Sequence, residues 1–328
     1  MLRRRHLMRA GLLALMLPAM TTLAMAQSAT STYPNRPVRL VVGFAAGGGN
    51  DIIARLVADK LSKSLGQPVI VENKPGAGGA TAAAFVKAQP PDGYTLLIGA
   101  SGAMVIGPAV GTPVEYDTVS DFVPVSLLGT FPLVLSVNAD SPHKTLADLI
   151  AWSKANPSKA NYASASPTFT LATELWKLKT GATLQRVSYR SSNDSVLAIL
   201  ANQVTMALTD PLPAIPLLQD KKLRALAVTS AARLPELPNV PTMAEAGIAG
   251  AEAEFWSGLF APKNTPPEIV DRIGREVKAA VQDHDVRERL RALATEATSC
   301  SPAEFTDRIS TELKTWSAVA KAANVTIE

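Results

Sequence analysis

Short apolar runs alternate with glycine-rich loops and amphipathic segments in the N-terminal part of the chain. Residues 38–42 form an apolar run that predicts a buried strand, and residues 51–64 carry apolar side chains at helical spacing. Two more strand candidates lie at 69–71 and 95–98, and a helix of small residues is predicted over 80–88. Three successive strand–helix units with short loops predict an α/β fold with a parallel, doubly wound sheet.

Capping motifs mark the helix starts in the rest of the chain. Thr145 and Ser191 are each followed by Asp three positions later, whereas Thr265 and Ser301 begin full capping boxes with proline and Glu. The motifs predict helices over 146–156, 192–201, 266–282 and 302–323. Strands are predicted at 133–137, 185–188, 204–208 and 223–228. Beyond about residue 250 the chain is predicted to be almost wholly helical.

The chain has no long charged or Ser/Gly-rich linker, so two α/β lobes would have to be joined by ordered crossover segments. The apolar stretches 122–136 and 255–261 are the candidates for these crossovers. They predict one lobe from residues 27–128 and 257–328 and a second from 129–256. Two crossovers make a hinge, and a hinge permits closure around a ligand.

The N-terminus has the order of a secretory signal peptide. A basic region with arginines at 3, 4, 5 and 9 precedes an apolar stretch at 10–19 and the small-residue sequence Ala24-Met25-Ala26. We expect cleavage after residue 26 and a periplasmic protein, because the apolar stretch is too short to span a bilayer. An ordinary Sec leader is favoured, and the adjacent Arg4 and Arg5 keep a twin-arginine route open.

Charge and cysteine content exclude several classes of partner. The chain has 32 basic and 28 acidic residues, and the four arginines of the leader account for the whole excess. The remaining chain is neutral and has no basic stripe, so we expect no nucleic-acid partner. Cys300 is the single cysteine, which excludes an internal disulfide. No histidine or cysteine spacing suits a metal, so we expect no metal.

Three glycine-rich loops follow the first three predicted strands, at the edge where open parallel sheets bind ligands. Their backbone N–H groups and the following helix start can hold an anion without Lys or Arg. We therefore predict a shared binding rim on the first lobe. Its candidate residues are Phe44, Ala46, Gly47, Gly48, Asp51, Gly76, Ala77, Gly78, Gly79 and Ser101.

Nucleotide and hydrolase sites fit these loops less well. The first loop lacks the Gly-Lys-Ser/Thr of a P-loop, and the second lacks the third glycine of a dinucleotide fingerprint. Ser101 follows a strand, but Ala103 stands where a nucleophile elbow needs glycine. His143 and His284 are the histidines beyond the leader, and both are expected on solvated turns or helix surfaces. A serine hydrolase using Ser101 stays as a remote alternative.

Polar loops of the second predicted lobe supply candidates for the opposite wall of a cleft. The hydroxyls at 164–168 run off a short strand into a helix start, and the turn at 189–192 includes one cation, Arg190. Asp210 either binds a donor on the ligand or caps the helix that begins at Pro211. The candidates on this lobe are Ser164, Ser166, Thr168, Phe169, Tyr189, Arg190, Ser191 and Asp210.

The order of motifs over the whole chain beyond the leader resembles the Bug-type, TctC-like receptors of tripartite tricarboxylate transporters. The matching segments are 33–37, 47–55, 71–79, 91–97, 223–230, 240–247 and 256–262. The resemblance implies a type II periplasmic-binding-protein fold, with two α/β lobes joined by a two-segment hinge around a ligand cleft. It also implies no enzymatic activity, no cofactor, a small organic carboxylate as ligand and membrane permease subunits as partners. We expect the receptor to be a monomer. A periplasmic sensor that docks on a signalling protein remains the alternative.

Departures from the family pattern bear on the ligand. Residues 164–170 replace a glycine-rich stretch with a histidine, and they place Phe169 beside the expected anion site. The turn at 189–192 lacks the usual glycine after Tyr-Arg. The ring of Phe169 favours an aromatic dicarboxylate or another apolar-bodied carboxylic acid over citrate.

Overall fold

A computed structural model describes residues 33–325, so the predicted signal peptide lies outside the described residues. Within this range the strands are β1 (Val38–Val42), β2 (Val69–Asn73), β3 (Thr95–Ala100), β4 (Phe122–Pro132), β5 (Val134–Asn138), β6 (Asn161–Ser164), β7 (Gln185–Ser188), β8 (Met206–Thr209), β9 (Leu223–Val228), β10 (Glu254–Pro262) and β11 (Glu296–Ala297). The α-helices are α1 (Gly49–Leu65), α2 (Ala80–Lys87), α3 (Gly107–Ala109), α4 (Leu146–Ala155), α5 (Pro167–Thr180), α6 (Ser192–Leu200), α7 (Pro211–Gln219), α8 (Pro267–Gln282), α9 (His284–Arg291) and α10 (Pro302–Ala322).

The first sheet has the strand order β11-β4-β10-β3-β1-β2. The strands β2, β1 and β3 are parallel, as predicted, whereas β10 runs antiparallel to both β3 and β4. The sheet is therefore mixed rather than wholly parallel. Side chains alternate between the two faces along β1. Leu40 and Val42 pack in a core with α1 and α8, whereas Val41 packs on the other face with α2 and α10.

The second sheet has the order β7-β6-β8-β5-β9. Here β7, β6 and β8 are parallel, and β5 runs antiparallel to β8 and β9. Leu135 and Leu208 pack on one face in the same cluster as Trp176 of α5, while Ala207 packs on the other face with Ile199 of α6. The central strands of each sheet are thus covered on both faces.

Two chain segments connect the sheets. The chain leaves the first sheet at the end of β4, enters the second at β5, and returns through β10. The strands β4 and β10 pair along their length, with Phe122 opposite Pro262 and Pro132 opposite Glu254. The strand β10 also corrects the expectation that the chain beyond residue 250 is almost wholly helical. Its run of buried residues forms the interior of a sheet instead of one face of a helix.

The predicted helices at 146–156, 192–201, 266–282 and 302–323 are present within one or two residues of the expected ends. Thr145 and Ser301 form capping boxes as the motifs predicted. The prediction at Thr265 was wrong, because α8 begins after Pro266 and the Thr265 hydroxyl donates to the carbonyl of Pro262 at 2.8 Å. No helix within residues 33–325 is long and apolar enough to cross a membrane.

The C-terminal helix α10 contacts elements of both sheets. It packs on β4 of the first sheet and on α5, which covers the second. Trp316 on this helix stacks against Phe255 of β10, with ring centroids 5.8 Å apart. The helix therefore supports the region where the chain passes between the sheets.

Candidate functional site

A cavity of about 580 Å³ lies between the two sheets, and both contribute to its walls. The first-sheet wall comes from the loop after β1, the loop after β2 and the segment after β3. The second-sheet wall comes from the starts of α5 and α7. Eight of the predicted site residues line this cleft: Phe44, Ala77, Gly78, Ser101, Ser166, Thr168, Phe169 and Asp210.

The loop after β1 is held in shape by the buried carboxylate of Asp51. This carboxylate accepts hydrogen bonds from the backbone N–H of Gly47 at 2.8 Å and from Arg55 Nε at 2.9 Å. Asn73 donates to its other oxygen at 2.8 Å. The hydrogen bond from Arg55, with help from those of Gly47 and Asn73, lowers the pKa of Asp51 to about 2. Asp51 is thus an internal brace of the loop and does not face the cleft.

Close backbone packing brings the first two glycine loops together. A Cβ atom on Gly43 would lie 2.5 Å from the Cα of Gly79. A larger residue at position 43 would therefore push the two loops apart. Gly79 itself has a φ of 107°, in the region that glycine tolerates best. The turn Ala77–Gly79 connects this contact to α2. Glycine is therefore needed here for the shape of the rim.

The start of α1 faces the cleft through Gly49 and Asn50. Gly48 is the N-cap and has no side chain to satisfy the first N–H groups of the helix. The side chain of Asn50 accepts a hydrogen bond from Ser257 of β10, which also lines the cleft. A helix start without a side-chain cap is a suitable place for an anionic group.

Ser101 lies at the end of β3 and is buried at the cleft wall. Its hydroxyl oxygen accepts a hydrogen bond from the backbone N–H of Trp256 at 3.2 Å. Neither His143 nor His284 lines the cleft, so Ser101 has no histidine base there. Its observed contact ties the first-sheet wall to β10.

The start of α5 forms the opposite wall. Ser166 caps this helix by accepting a hydrogen bond from the N–H of Phe169 at 3.4 Å. Thr168 and Phe169 line the cleft, and a Cβ atom on Gly102 would come within 3.4 Å of Thr168 Oγ1. Ser164 is buried behind this wall, where its hydroxyl pairs with Thr170 at 2.8 Å. The two walls therefore approach each other between Gly102 and Thr168.

Asp210 precedes α7 and lines the cleft, but its side chain makes no capping hydrogen bond to that helix. Ser192 donates instead to Asp210 Oδ2 at 2.5 Å. Burial raises the pKa of the Asp210 carboxyl above its ordinary value. Among the described residues that line the cleft, Asp210 is the one with a formal charge, and none is Lys, Arg or His.

Ten predicted site residues lie outside the cleft lining. Tyr189 and Arg190 line a separate shallow depression with residues of α6, and Ser191 caps that helix. Asp51 and Ser164 make the internal contacts described above. The full set outside the lining is Ala46, Gly47, Gly48, Asp51, Gly76, Gly79, Ser164, Tyr189, Arg190 and Ser191. Their contact with a ligand stays a prediction.

The cleft also has walls that the sequence analysis did not identify. Most are apolar, and two come from segments far along the chain, β4 and the loop before β11. These residues are Ile53, Val114, Tyr116, Phe131, Leu212 and Leu293. The polar lining residues that were missed are Asn50, Thr112, Ser257 and Thr295. The glycine-loop pattern could have included Asn50, but no local signal places Ser257 in the cleft.

The two remaining candidate reactive residues are not in the cleft. His143 was expected on a solvated turn or surface, and this was wrong, because it is buried against Trp152 with ring centroids 4.7 Å apart. Burial lowers the pKa of His143. Cys300 is half-buried, and burial raises the pKa of its thiol, which disfavours the reactive thiolate.

The chain forms two α/β units around a cleft. One helix start at the cleft has no side-chain cap, and another is capped by a hydroxyl. This arrangement is that of a receptor for a small solute. The chain belongs to the tripartite tricarboxylate transporter receptor family, whose family model, TctC, matches residues 53–325. It is a Bug-type solute receptor and not an enzyme.

Individual relatives agree with this assignment over most of their length. Protein BugT of Bordetella pertussis is 35% identical over 293 residues, 88% of this chain and 90% of that protein. A protein encoded in the tcbD-tcbE intergenic region of Pseudomonas sp. strain P51 is 37% identical over 301 residues, 91% of this chain and 89% of that protein.

Solved structures show the same fold. An R. palustris protein with adipate superposes with a TM-score of 0.78 at 35% identity, covering 90% of this chain and 99% of that chain. MatC from Rhodopseudomonas palustris with bound malate gives a TM-score of 0.74 at 32% identity, covering 88% and 99%. The periplasmic binding protein BugD gives 0.75 at 31% identity, covering 90% and 100%.

Proposed function

We propose that this chain is an exported periplasmic receptor that captures a small organic carboxylate in the cleft and delivers it to the permease subunits of a tripartite transporter. The observation that carries the proposal is the cleft itself, which lies between two sheets and is lined by the helix start at Asn50 and by the one at Thr168. Residues 1–26 would be the export signal.

Lobe closure would complete the site. We assign residues 27–128 and 257–328 to one lobe and 129–256 to the other, with the paired strands β4 and β10 at the hinge. The approach of Gly102 to Thr168 across the cleft supports a site whose walls come together around the ligand.

The absence of lysine, arginine and histidine from the described lining determines how an anion would be held. A carboxylate would accept hydrogen bonds from backbone N–H groups and from hydroxyls such as those of Ser101 and Thr168. Charge-assisted hydrogen bonds are stronger than neutral ones, and a closed cleft of low dielectric strengthens them further. This arrangement supports an organic acid of low charge more than a trianion such as citrate.

The apolar walls support a ligand with an apolar body. Phe44, Phe131 and Phe169 contribute aromatic rings, and Ile53 and Leu212 contribute aliphatic side chains. Burial of apolar ligand surface against such walls favours binding by roughly 25 cal/mol per Å². The adipate bound in the R. palustris relative likewise joins its acidic ends by an apolar chain.

Thermal unfolding and isothermal titration with a carboxylate panel test the proposal. A ligand that binds the native state raises the melting temperature without being consumed. We expect apolar-bodied acids such as benzoate, 4-hydroxybenzoate and adipate to do so, and citrate to have little effect. Thr168→Val keeps the shape of the side chain and removes its hydroxyl, so it should weaken binding about tenfold while leaving the unliganded melting temperature within a few degrees. If no carboxylate binds the folded protein, the proposal is wrong.

A further inference from the structure

Asp210 places an acidic group in one wall of the cleft, which is not required for binding a carboxylate. Its carboxyl group lies in the wall formed by the start of α7, and no lysine, arginine or histidine among the described lining residues can neutralise it. An organic anion would therefore share the cleft with an acidic side chain. Burial already raises the pKa of the Asp210 carboxyl, and an anionic group of the ligand beside it would disfavour the charged form further, so bringing the two groups together costs binding free energy.

The hydrogen bonding of Asp210 leaves one oxygen available. Oδ2 accepts from the hydroxyl of Ser192 at 2.5 Å, whereas Oδ1 makes no hydrogen bond to another residue among those that the structure describes. The side chain does not cap α7, so helix capping does not explain its position. Because Asp210 lines the cleft, a donor group on a ligand can pair with this carboxyl group in place of water.

We propose that Asp210 selects a ligand with a carboxylate at one end and a hydrogen-bond donor, a hydroxyl or an amino group, at the other. The inference rests on the proposed function, because it assumes that the cleft binds a carboxylate. The ligand's carboxylate occupies the wall away from Asp210, and its donor group pairs with Oδ1. Ser192 is the positioning residue, since its hydroxyl holds Oδ2 and so orients the carboxyl group.

A ligand donor at Asp210 makes symmetric dicarboxylates poorer ligands than hydroxy or amino acids of the same length. A second carboxylate at this end would face the Asp210 carboxyl group without a cation between them. A hydroxyl or amino group at the same position would satisfy the free oxygen. Sites that contain a buried hydrogen-bonding group discriminate strongly against ligands that leave it unpaired.

Isothermal titration with two matched series tests the inference. The first series is 4-hydroxybenzoate, benzoate and terephthalate, and the second is 6-hydroxyhexanoate, hexanoate and adipate. Within at least one series we expect wild-type protein to bind the hydroxy acid about tenfold or more tightly than either other member. If in both series the dicarboxylate binds more tightly than the hydroxy acid, or the monoacid binds as tightly, the inference is overturned. Failure of all six to bind overturns the proposed function instead.

Two variants assign the preference to the carboxyl group. Asp210→Asn keeps the size of the side chain and removes the charge, so the ratio of hydroxy acid to dicarboxylate affinity should fall to within about threefold of unity. Ser192→Ala keeps the carboxyl group and removes only the hydroxyl that orients it, so it should lower the preference by less than Asp210→Asn does. An unchanged ratio in Asp210→Asn overturns the assignment, as does a loss confined to Ser192→Ala. The wild-type ranking tests the inference by itself even where Asp210→Asn does not fold.

Discussion

Asn73 joins the end of β2 to the loop after β1, because its amide nitrogen donates both to Asp51 Oδ1 at 2.8 Å and to the carbonyl oxygen of Phe44 at 3.0 Å. Asp51 in turn accepts from Gly47 and Arg55. The loop that presents Phe44 to the cleft is thus fixed by side chains that do not line the cleft themselves. A rim held in this way is formed before a ligand arrives.

Replacing Asp51 with Asn should destabilise the protein and weaken ligand binding together. Donors face both carboxylate oxygens, so the amide nitrogen of Asn would lie either against Arg55 Nε and the Gly47 N–H or against the amide of Asn73. Losing hydrogen bonds to a buried charged group costs about 2 kcal/mol, so the urea midpoint should fall measurably. Asp59→Asn is the control, because Asp59 lies on the same helix in an exposed pair with Lys63 and should change stability little.

The low pKa of Asp51 adds a dependence on pH to this prediction. Its folded-state pKa, about 2, lies below the ordinary aspartate value of 3.8. The carboxylate therefore contributes stability that is present above that ordinary value and is lost as the pH falls through it toward the folded-state pKa. The difference in stability between wild type and Asp51→Asn should shrink in that window. A difference that stays constant down to the lowest pH at which the wild type folds would contradict the role given to the charge.

Local sequence patterns predicted the parts of this molecule that depend on neighbours in the chain. The glycine loops, the capping boxes at Thr145 and Ser301 and the strand at 223–228 each rest on a few consecutive residues. The mixed direction of the first sheet was not predictable in this way. It depends on the pairing of β4 with β10, and in the sequence all the strands of the second sheet lie between these two.

The candidate site, like the fold, was predictable only where it depends on local sequence. A loop that follows a strand has one side toward the ligand and one toward the protein, and the sequence does not distinguish them. Asp51 and Ser164 have ligand-like chemistry but use it for internal hydrogen bonds. Ser257 entered the cleft only because β10 lies beside β3.

Phe169→Ala should weaken the binding of apolar-bodied acids more than that of small polar acids. The ring lines the cleft, and the capping hydrogen bond from its backbone N–H to Ser166 does not depend on the side chain. Loss of ring contact should cost about tenfold in affinity for benzoate or adipate and little for a compact acid such as malate. Leu178→Ala on the same helix is the control, because Leu178 is outside the cleft and half-exposed. Equal loss for all acids would contradict a specificity role for the ring.

Arg291 and Glu236 form an ion pair between α9 and the loop that follows β9, with Arg291 Nε 3.3 Å from Glu236 Oε1. One partner lies with the first sheet and the other with the second, so the pair should favour the closed form. Because Arg291 is largely exposed, Arg291→Gln should raise the ligand dissociation rate only two- to fivefold, and the difference should vanish in roughly 1 M salt. Stopped-flow tryptophan fluorescence can measure this rate.

Arg233→Gln is the matched control for that prediction. Arg233 pairs with Glu245 at 2.8 Å, and both residues lie in the segment between β9 and β10. The substitution removes a similarly exposed arginine without removing the contact between α9 and the other sheet. A similar rise in dissociation rate for both variants would show that loss of a positive charge, and not loss of the ion pair between the two units, controls ligand release.

His143 should make stability fall as the medium becomes mildly acidic. The ring is buried against Trp152, and burial lowers its pKa, although the nearby Asp148 opposes the shift. The folded state therefore disfavours the charged ring, so its stability contribution is present above the unfolded-state pKa of about 6.5 and decreases as the pH falls below it. Melting curves from pH 7.5 to 5 should show a decline that is smaller in His143→Gln. His284→Gln should retain the full decline, because His284 is exposed at the start of α9. An identical decline in all three proteins would mean that other groups account for it.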